Sequence, residues 1–215
     1  MKGLLTKDFM LLRNQSRTLL LLLVCGIVMS LSFDNEIVIM YLGIMGGMVA
    51  VGTLSYDEFD NGYSFLLTLP VTRKTYVREK YLFCVGCTIA CALIGIVAAL
   101  VITKVKGGAA GEMPTAVDVL LTLAATLAVL LIFMSLSIPF RLKYGAEKGR
   151  IVLYAFFIGI AALIVLFNRL GGGAADSLPE SLNLNLILGA LLVIGIIAIV
   201  VSEQAAEHIM AKKEF

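Results

Sequence analysis

Ile37-Val-Ile-Met-Tyr-Leu-Gly-Ile-Met-Gly-Gly-Met-Val-Ala-Val-Gly-Thr-Leu54 runs without an Asp, Glu, Lys or Arg and is followed by Ser55, Tyr56, Asp57 and Glu58. A stretch of this length with no charge reads as a helix crossing a bilayer, completed by a few flanking residues. The same pattern recurs along the chain. Apolar runs at Thr18–Phe33, Tyr81–Thr103, Val117–Phe140, Ile151–Phe167 and Leu184–Val201 are each bounded by charge, Gly or Pro. With Ile37–Leu54 they make six candidate spans. The 215 residues are 60% hydrophobic and 15% charged, where a soluble domain carries about 25% charged residues. The reading is an all-α membrane protein, a single domain over residues 1–215.

The run at Thr18 is preceded by Lys2, Lys7, Arg13 and Arg17 in the manner of a secretory signal. No A-x-A-like site follows, and Val24 before Cys25 is too bulky for a lipoprotein signal, so the segment reads as a first span. Residues 1–17 form an amphipathic helix instead. Met1, Leu4, Leu5, Phe9, Leu11 and Leu12 share one side, and Lys2, Thr6, Lys7, Arg13, Asn14 and Arg17 share the other. Such a helix lies in the membrane interface with its cations at the headgroups. Asp8 falls in the apolar arc, where it either snorkels or pairs with a cation from elsewhere in the chain.

Orientation follows from the basic residues. With both termini on the cytoplasmic side, only Lys104, Lys106 and Arg169 of the 17 Lys and Arg fall outside, which is the positive-inside pattern. The outer connections are short. Two are Gly-rich, with Gly107, Gly108 and Gly111 in one and Gly171–Gly173 in the other, which excludes a large external receptor domain. A net charge of +2 and the lack of basic runs interleaved with aromatics point away from nucleic acid.

Asp118 stands at the outer edge of its span and reads as a first-turn helix residue facing water. The span interiors hold no charged residue to form a proton relay or a carboxylate ion site, so an ion-coupled transporter or channel lacks its raw material. Gly145-Ala-Glu-Lys-Gly-Arg150 lacks the spacing and the Ser/Thr of a nucleotide-binding loop. Any energy source must come from another chain. Cys84 and Cys87 form a C-x-x-C continued on the same face by Cys91, which reads as small packing residues in preference to redox or metal chemistry. Gly43 and Gly47 form a G-x-x-x-G. It suits close helix packing within the chain, with a subunit contact as the other use.

The first cytoplasmic loop, residues 56–80, is acidic at Asp57, Glu58 and Asp60. It is apolar at Tyr63, Phe65, Leu66, Leu67 and Leu69, and basic at Arg73, Lys74, Arg78 and Lys80. Pro70 divides it, and Thr72 can cap the helix entering the third span. A short helix with an apolar ridge just outside the membrane fits a groove on a protein partner; the alternative is that it dips into the interface.

This loop, with its Phe65-Leu-Leu-Thr-Leu-Pro-Val-Thr-Arg-Lys-Thr-Tyr-Val-Arg-Glu-Lys80, resembles the small permeases of the ABC-2 transporter family. The opening Met1-Lys-Gly-Leu-Leu-Thr-Lys-Asp-Phe9 and the second inner loop, residues 141–150, agree. Within the family the chain is most similar to permeases that export phenol-soluble modulins. The resemblance implies a bacterial cytoplasmic membrane, a second permease chain (the same or a sister) and separate cytoplasmic ATPase subunits that carry ATP and Mg, with no cofactor in this chain and no enzymatic activity of its own. It implies that Glu58, Phe59, Asp60, Tyr63, Phe65, Leu66 and Leu67 couple to the ATPase. Lys143, Tyr144, Glu147, Lys148 and Arg150 make a smaller contact, and Lys7, Asp8 and Phe9 of the interfacial helix lie beside the loop. The cargo expected is hydrophobic or amphipathic, peptides such as phenol-soluble modulins or antimicrobial peptides among the candidates. The competing reading is a membrane scaffold or immunity-type protein that binds a partner through the same loop without transporting.

Overall fold

A computed structural model describes residues 2–32, 35–58, 62–68, 72–105, 116–170 and 184–212, and almost all of them are helical. The helices are α1 (Lys2–Asn14), α2 (Ser16–Ser32), α3 (Asn35–Glu58), α4 (Gly62–Thr68), α5 (Arg73–Val105), α6 (Ala116–Tyr144), α7 (Ala146–Leu170) and α8 (Leu184–Lys212). Glu36–Glu58, Arg73–Ile102, Val117–Tyr144 and Leu188–Lys212 are long and apolar enough to cross a membrane. α1 and α2, bent by 64° at Gln15, make a fifth candidate when taken together. α3, α5, α6 and α8 form the centre of the bundle; α2 lies against α3, and α7 lies against α6.

The four long helices do not stop where their apolar runs stop. α3 continues past Leu54 to Glu58, α5 begins eight residues before Tyr81, and α6 passes through Pro139 to Tyr144. Helix length follows from unbroken i→i−4 hydrogen bonding, whereas hydropathy marks only where the chain prefers oil. Among the described residues, parts of the first and second inner connections are therefore helix extensions. Thr72 caps α5 as expected, its Oγ1 accepting the Thr75 N–H at 3.2 Å.

Pro139 has no N–H to give the carbonyl of Ser135, four residues back. Ser202 of α8 supplies the missing donor, its Oγ meeting the Ser135 carbonyl at 2.6 Å. Because that uses the single hydroxyl hydrogen of Ser202, the Tyr81 hydroxyl of α5 donates to Ser202 Oγ, at 2.5 Å. The gap left by one proline is thus closed by a bond that joins α5, α6 and α8.

α3 packs through its glycines. A side chain at Gly43 would meet Thr126 and Ala92, and one at Gly47 would meet Thr88 and Leu130, both within 3 Å of the nearest atom. The G-x-x-x-G face is an intramolecular contact; beside it, Cys91 fills the space over Gly46, and Cys84 is fully buried. Gly46→Ala would drive a methyl into Cys91 and should cost about 1–3 kcal/mol by overpacking. Gly52→Ala on the same helix meets nothing within 4 Å and should gain about 0.5–1 kcal/mol from the stiffer unfolded chain. Thermal unfolding of the two variants in detergent checks this; equal midpoints would refute the close crossing.

Candidate functional site

The amphipathic α1 crosses α3 and α5 with Leu4 and Asp8 innermost, Asp8 having no exposed surface at all. A carboxylate so placed is tolerated only with a charged partner. Lys80, on the extension of α5, is that partner. Its Nζ also lies 2.8 Å from Asp57 Oδ2, on the extension of α3. Lys7 completes the set, 2.5 Å from Asp57 Oδ1 and 3.3 Å from Asp8 Oδ1. The Tyr76 hydroxyl donates to Asp57 Oδ2 at 2.8 Å, and Lys80 and Lys7 stand 5.5 and 6.0 Å from the centre of the Tyr76 ring. Two lysines and two aspartates, buried but for the half-covered Lys7, therefore tie three helices together. Of the two fates open to Asp8, pairing is what the structure shows.

Glu79 is buried beside this group with no hydrogen-bond partner at either carboxylate oxygen. Three carboxylates thus face two lysines. Asp57 takes three donors and Glu79 takes none, so the cluster is organised around Asp57 and Lys80.

α4 is seated on the same cluster. Tyr63 and Leu66 are buried, and the Tyr63 ring meets Tyr76 edge to face at 6.0 Å. The ridge residues Tyr63 and Leu66 thus turn toward the chain's own helices, because Tyr76 offers an aromatic surface already fixed by its bond to Asp57. Burial lifts the Tyr63 hydroxyl above the ordinary phenol range. Phe65 and Leu67 belong to α4. Phe59 and Asp60 lie outside the described residues, as does Pro70. Glu58 ends α3. Phe9 is 64% exposed, its ring edge to face with Phe83 at 5.9 Å.

The second loop is a tight corner. Gly145, at φ 88°, gives its N–H to the Arg141 carbonyl at 2.9 Å and accepts the Gly149 N–H at 3.0 Å, so α7 starts almost at once. Lys143 and Tyr144 before the corner and Glu147 and Lys148 after it are exposed, while Arg150 lies in the first turns of α7. The side chain that connects this corner to the cluster is Arg141. It is buried, and its Nη1 donates to Ser55 Oγ at 3.0 Å on the extension of α3. The Glu58 carboxylate lies over Gly145. In the sequence Arg141 opens the second inner loop as one of its cations, within the stretch expected to make the smaller contact; its place two residues after Pro139, at the end of an apolar run, is the signal for an inward role.

A third set was not foreseen. Arg73 Nη1 donates to the carbonyls of Met210 and Ala211, both at 2.9 Å, where α8 runs out of intrahelical donors. Arg78 Nε lies 3.1 Å from Glu203 and 3.2 Å from Glu207, and Lys74 lies 3.7 Å from Glu207. The start of α5 is thereby held to the end of α8. These are three of the four cations that close the first inner loop in the sequence.

One end of the bundle is therefore a braced platform. α1, α3 and α5 are joined by buried ion pairs, α4 rests on Tyr76, and the α6–α7 corner grips α3. Such an arrangement transmits position, and it does so through charged contacts that cost heavily to break singly.

The family comparison bears on this platform. A model of the ABC-2 family transporter protein matches residues 3–211. No curated protein and no solved structure gives a significant match. The matched span runs from the first turn of α1 to the last turn of α8, where Arg73 makes its contacts. The chain belongs to the ABC-2 family of transporter proteins, as a multi-pass membrane component of an ABC transporter.

Proposed function

We propose that this chain is the permease subunit of an ABC exporter, with six spans and both termini in the cytoplasm of a bacterium. ATP, with Mg, is bound and hydrolysed by separate ATPase subunits, and two permease chains, alike or sister, line the pathway. The platform then faces the ATPase. α4 with Glu58, Phe59 and Asp60 is the part that receives ATPase closure, and Lys143, Tyr144, Glu147, Lys148 and Arg150 make a second contact. Cargo is hydrophobic or amphipathic. Its assignment to peptides of the phenol-soluble modulin kind rests on the resemblance of the loop around Leu69-Pro-Val-Thr-Arg-Lys74.

The observation that carries this reading is the Lys7–Asp8–Asp57–Lys80 cluster. A partner can shift the permease only through contacts that differ between its states, and a loop delivers that difference only if it is rigidly joined to the helices it moves. The cluster is that joint. Removing the Asp8 carboxylate should loosen it while Lys80 keeps Asp57. Asp8→Ala is expected to lower cargo-stimulated ATP hydrolysis of the reconstituted permease–ATPase pair severalfold, with membrane insertion unchanged. Unchanged hydrolysis would count against the joint. A stable complex that neither responds to cargo nor exports it would favour the scaffold reading over transport.

A further inference from the structure

α1 is held unevenly along its length. Its first two turns are locked, with Leu4 and Asp8 buried and Lys7 reaching Asp57. Its last turns are not, and Phe9 and Met10 are 64% and 66% exposed. Beneath this half lies a cavity of about 390 Å³. Leu5, Phe9 and Leu12 of α1 and Leu19 of α2 form one side of it, and Phe83, Gly86, Cys87 and Cys91 line the α5 side. The volume is within the range of ligand sites.

The chemistry of the lining selects the occupant. It holds no charged group, hydroxyl or amide side chain, and its helical backbone is already hydrogen-bonded within the helices. Water needs two to four polar partners and finds none here. An alkyl chain needs none and gains with each methylene buried. Leu12 and Leu19 stand on either side of the 64° elbow between α1 and α2. The elbow carries Arg13 and Arg17, both exposed. Neither lines the cavity: Arg13 follows Leu12 and lies on the other flank of α1 with Thr6 and Lys7, and Arg17 precedes Leu19 by two positions. Cations flanking an apolar cavity in this way complement an anionic headgroup with a chain attached.

We propose that the cavity under the α1–α2 elbow holds one acyl chain of an anionic bilayer phospholipid whose headgroup is met by Arg13 and Arg17. The inference rests on the exporter reading above and on α1 lying in the membrane interface, as its amphipathic sequence implies. The lipid adds packing where Phe9 is 64% exposed. Because the same helix carries Asp8, the anionic lipid content of the membrane then bears on the ion-pair platform.

The test uses the full-length permease purified in mild detergent and needs no ATPase, so its failure is separable from failure of the transport reading. Native mass spectrometry compares phosphatidylglycerol with phosphatidylcholine of the same chains. Wild type is expected to retain one phosphatidylglycerol per chain, about tenfold or more tighter than phosphatidylcholine. A Cβ at Gly86 meets nothing within 4 Å, so Gly86→Leu adds bulk to the α5 wall of the cavity and should weaken retention about tenfold or more. Arg13→Gln with Arg17→Gln should abolish the headgroup preference and leave phosphatidylcholine binding as it was. On wild type alone, phosphatidylglycerol should slow maleimide modification of Cys87 and Cys91 but not of Cys25, which does not line the cavity; this readout stands if Gly86→Leu fails to fold. Equal retention by wild type and Gly86→Leu, no headgroup preference, or no protection of Cys87 and Cys91 would overturn the proposal. So would a Cys87–Cys87 cross-link between two copies, which would make the cavity a subunit contact.

Discussion

Lys80→Met should cost the folded permease about 3–5 kcal/mol, the loss expected when one partner of a buried ion pair is removed. Lys80 is 1% exposed and serves both Asp8 and Asp57. Without it, Asp8, Asp57 and the unpartnered Glu79 share Lys7 alone, whose side chain is 31% exposed. Methionine matches the length of the lysine stem, so the loss reports the charge and not a cavity. The signature is in the double variant: Lys80→Met with Asp8→Asn removes one charge of each sign and should recover a large part of the loss. Arg78→Ala is the control. It removes contacts to Glu203 and Glu207 from a side chain 59% exposed, and exposed pairs of this kind contribute at most about 1 kcal/mol. Unfolding midpoints of the purified variants decide the matter. A Lys80→Met protein as stable as Arg78→Ala, or a double variant worse than the single, would mean that the cluster braces nothing.

The difference between Lys80 and Arg78 marks how far this fold can be read from its sequence. Both stand in one basic run, and composition treats them alike. Hydropathy located the apolar runs, because transfer from water to hydrocarbon is additive along a window. Helical periodicity exposed Asp8 as the wrong residue on an apolar face, and small residues at i and i+4 marked Gly43 and Gly47 as a crossing. These are local signals. The partners are not: Lys80 and Asp8 are 72 residues apart, Lys7 and Asp57 50, Arg73 and Met210 137. Nothing in the sequence near Lys80 says that it turns inward while Arg78, two positions earlier, turns out. That depends on where α1 crosses α5, which depends on packing between all three helices. The Ser202 bond to the Ser135 carbonyl is a mixed case. Pro139 announces an orphan acceptor, but only the fold names the donor.

Gly145→Val should lower stability by about 3 kcal/mol and, in the exporter reading, weaken coupling through the second loop. Gly145 sits at φ 88°, where an L-residue is disfavoured by roughly 1–2 kcal/mol and a β-branched one by more. A side chain there would also overlap the Glu58 carboxylate, and Glu58 closes the helix whose preceding turn holds Asp57 and Ser55. The corner fixes two directions at once, because its N–H ends α6 on the Arg141 carbonyl and its own carbonyl receives Gly149. Opening it would swing Arg141 away from Ser55 and with it the exposed Lys143 and Tyr144 relative to Glu147 and Lys148. Backbone strain and the Glu58 overlap can be separated. Asparagine tolerates the left-handed region yet still carries a Cβ, so Gly145→Asn keeps the overlap while removing most of the strain. If strain dominates, Gly145→Asn should stay within about 1 kcal/mol of wild type and retain coupled ATP hydrolysis, while Gly145→Val loses both. If the two variants fall together, Glu58 is the cause, and Glu58→Ala should then rescue Gly145→Val. An unfolding midpoint for Gly145→Val equal to wild type would show that the corner is not held at this φ, and the second loop would lose its rigid link to α3.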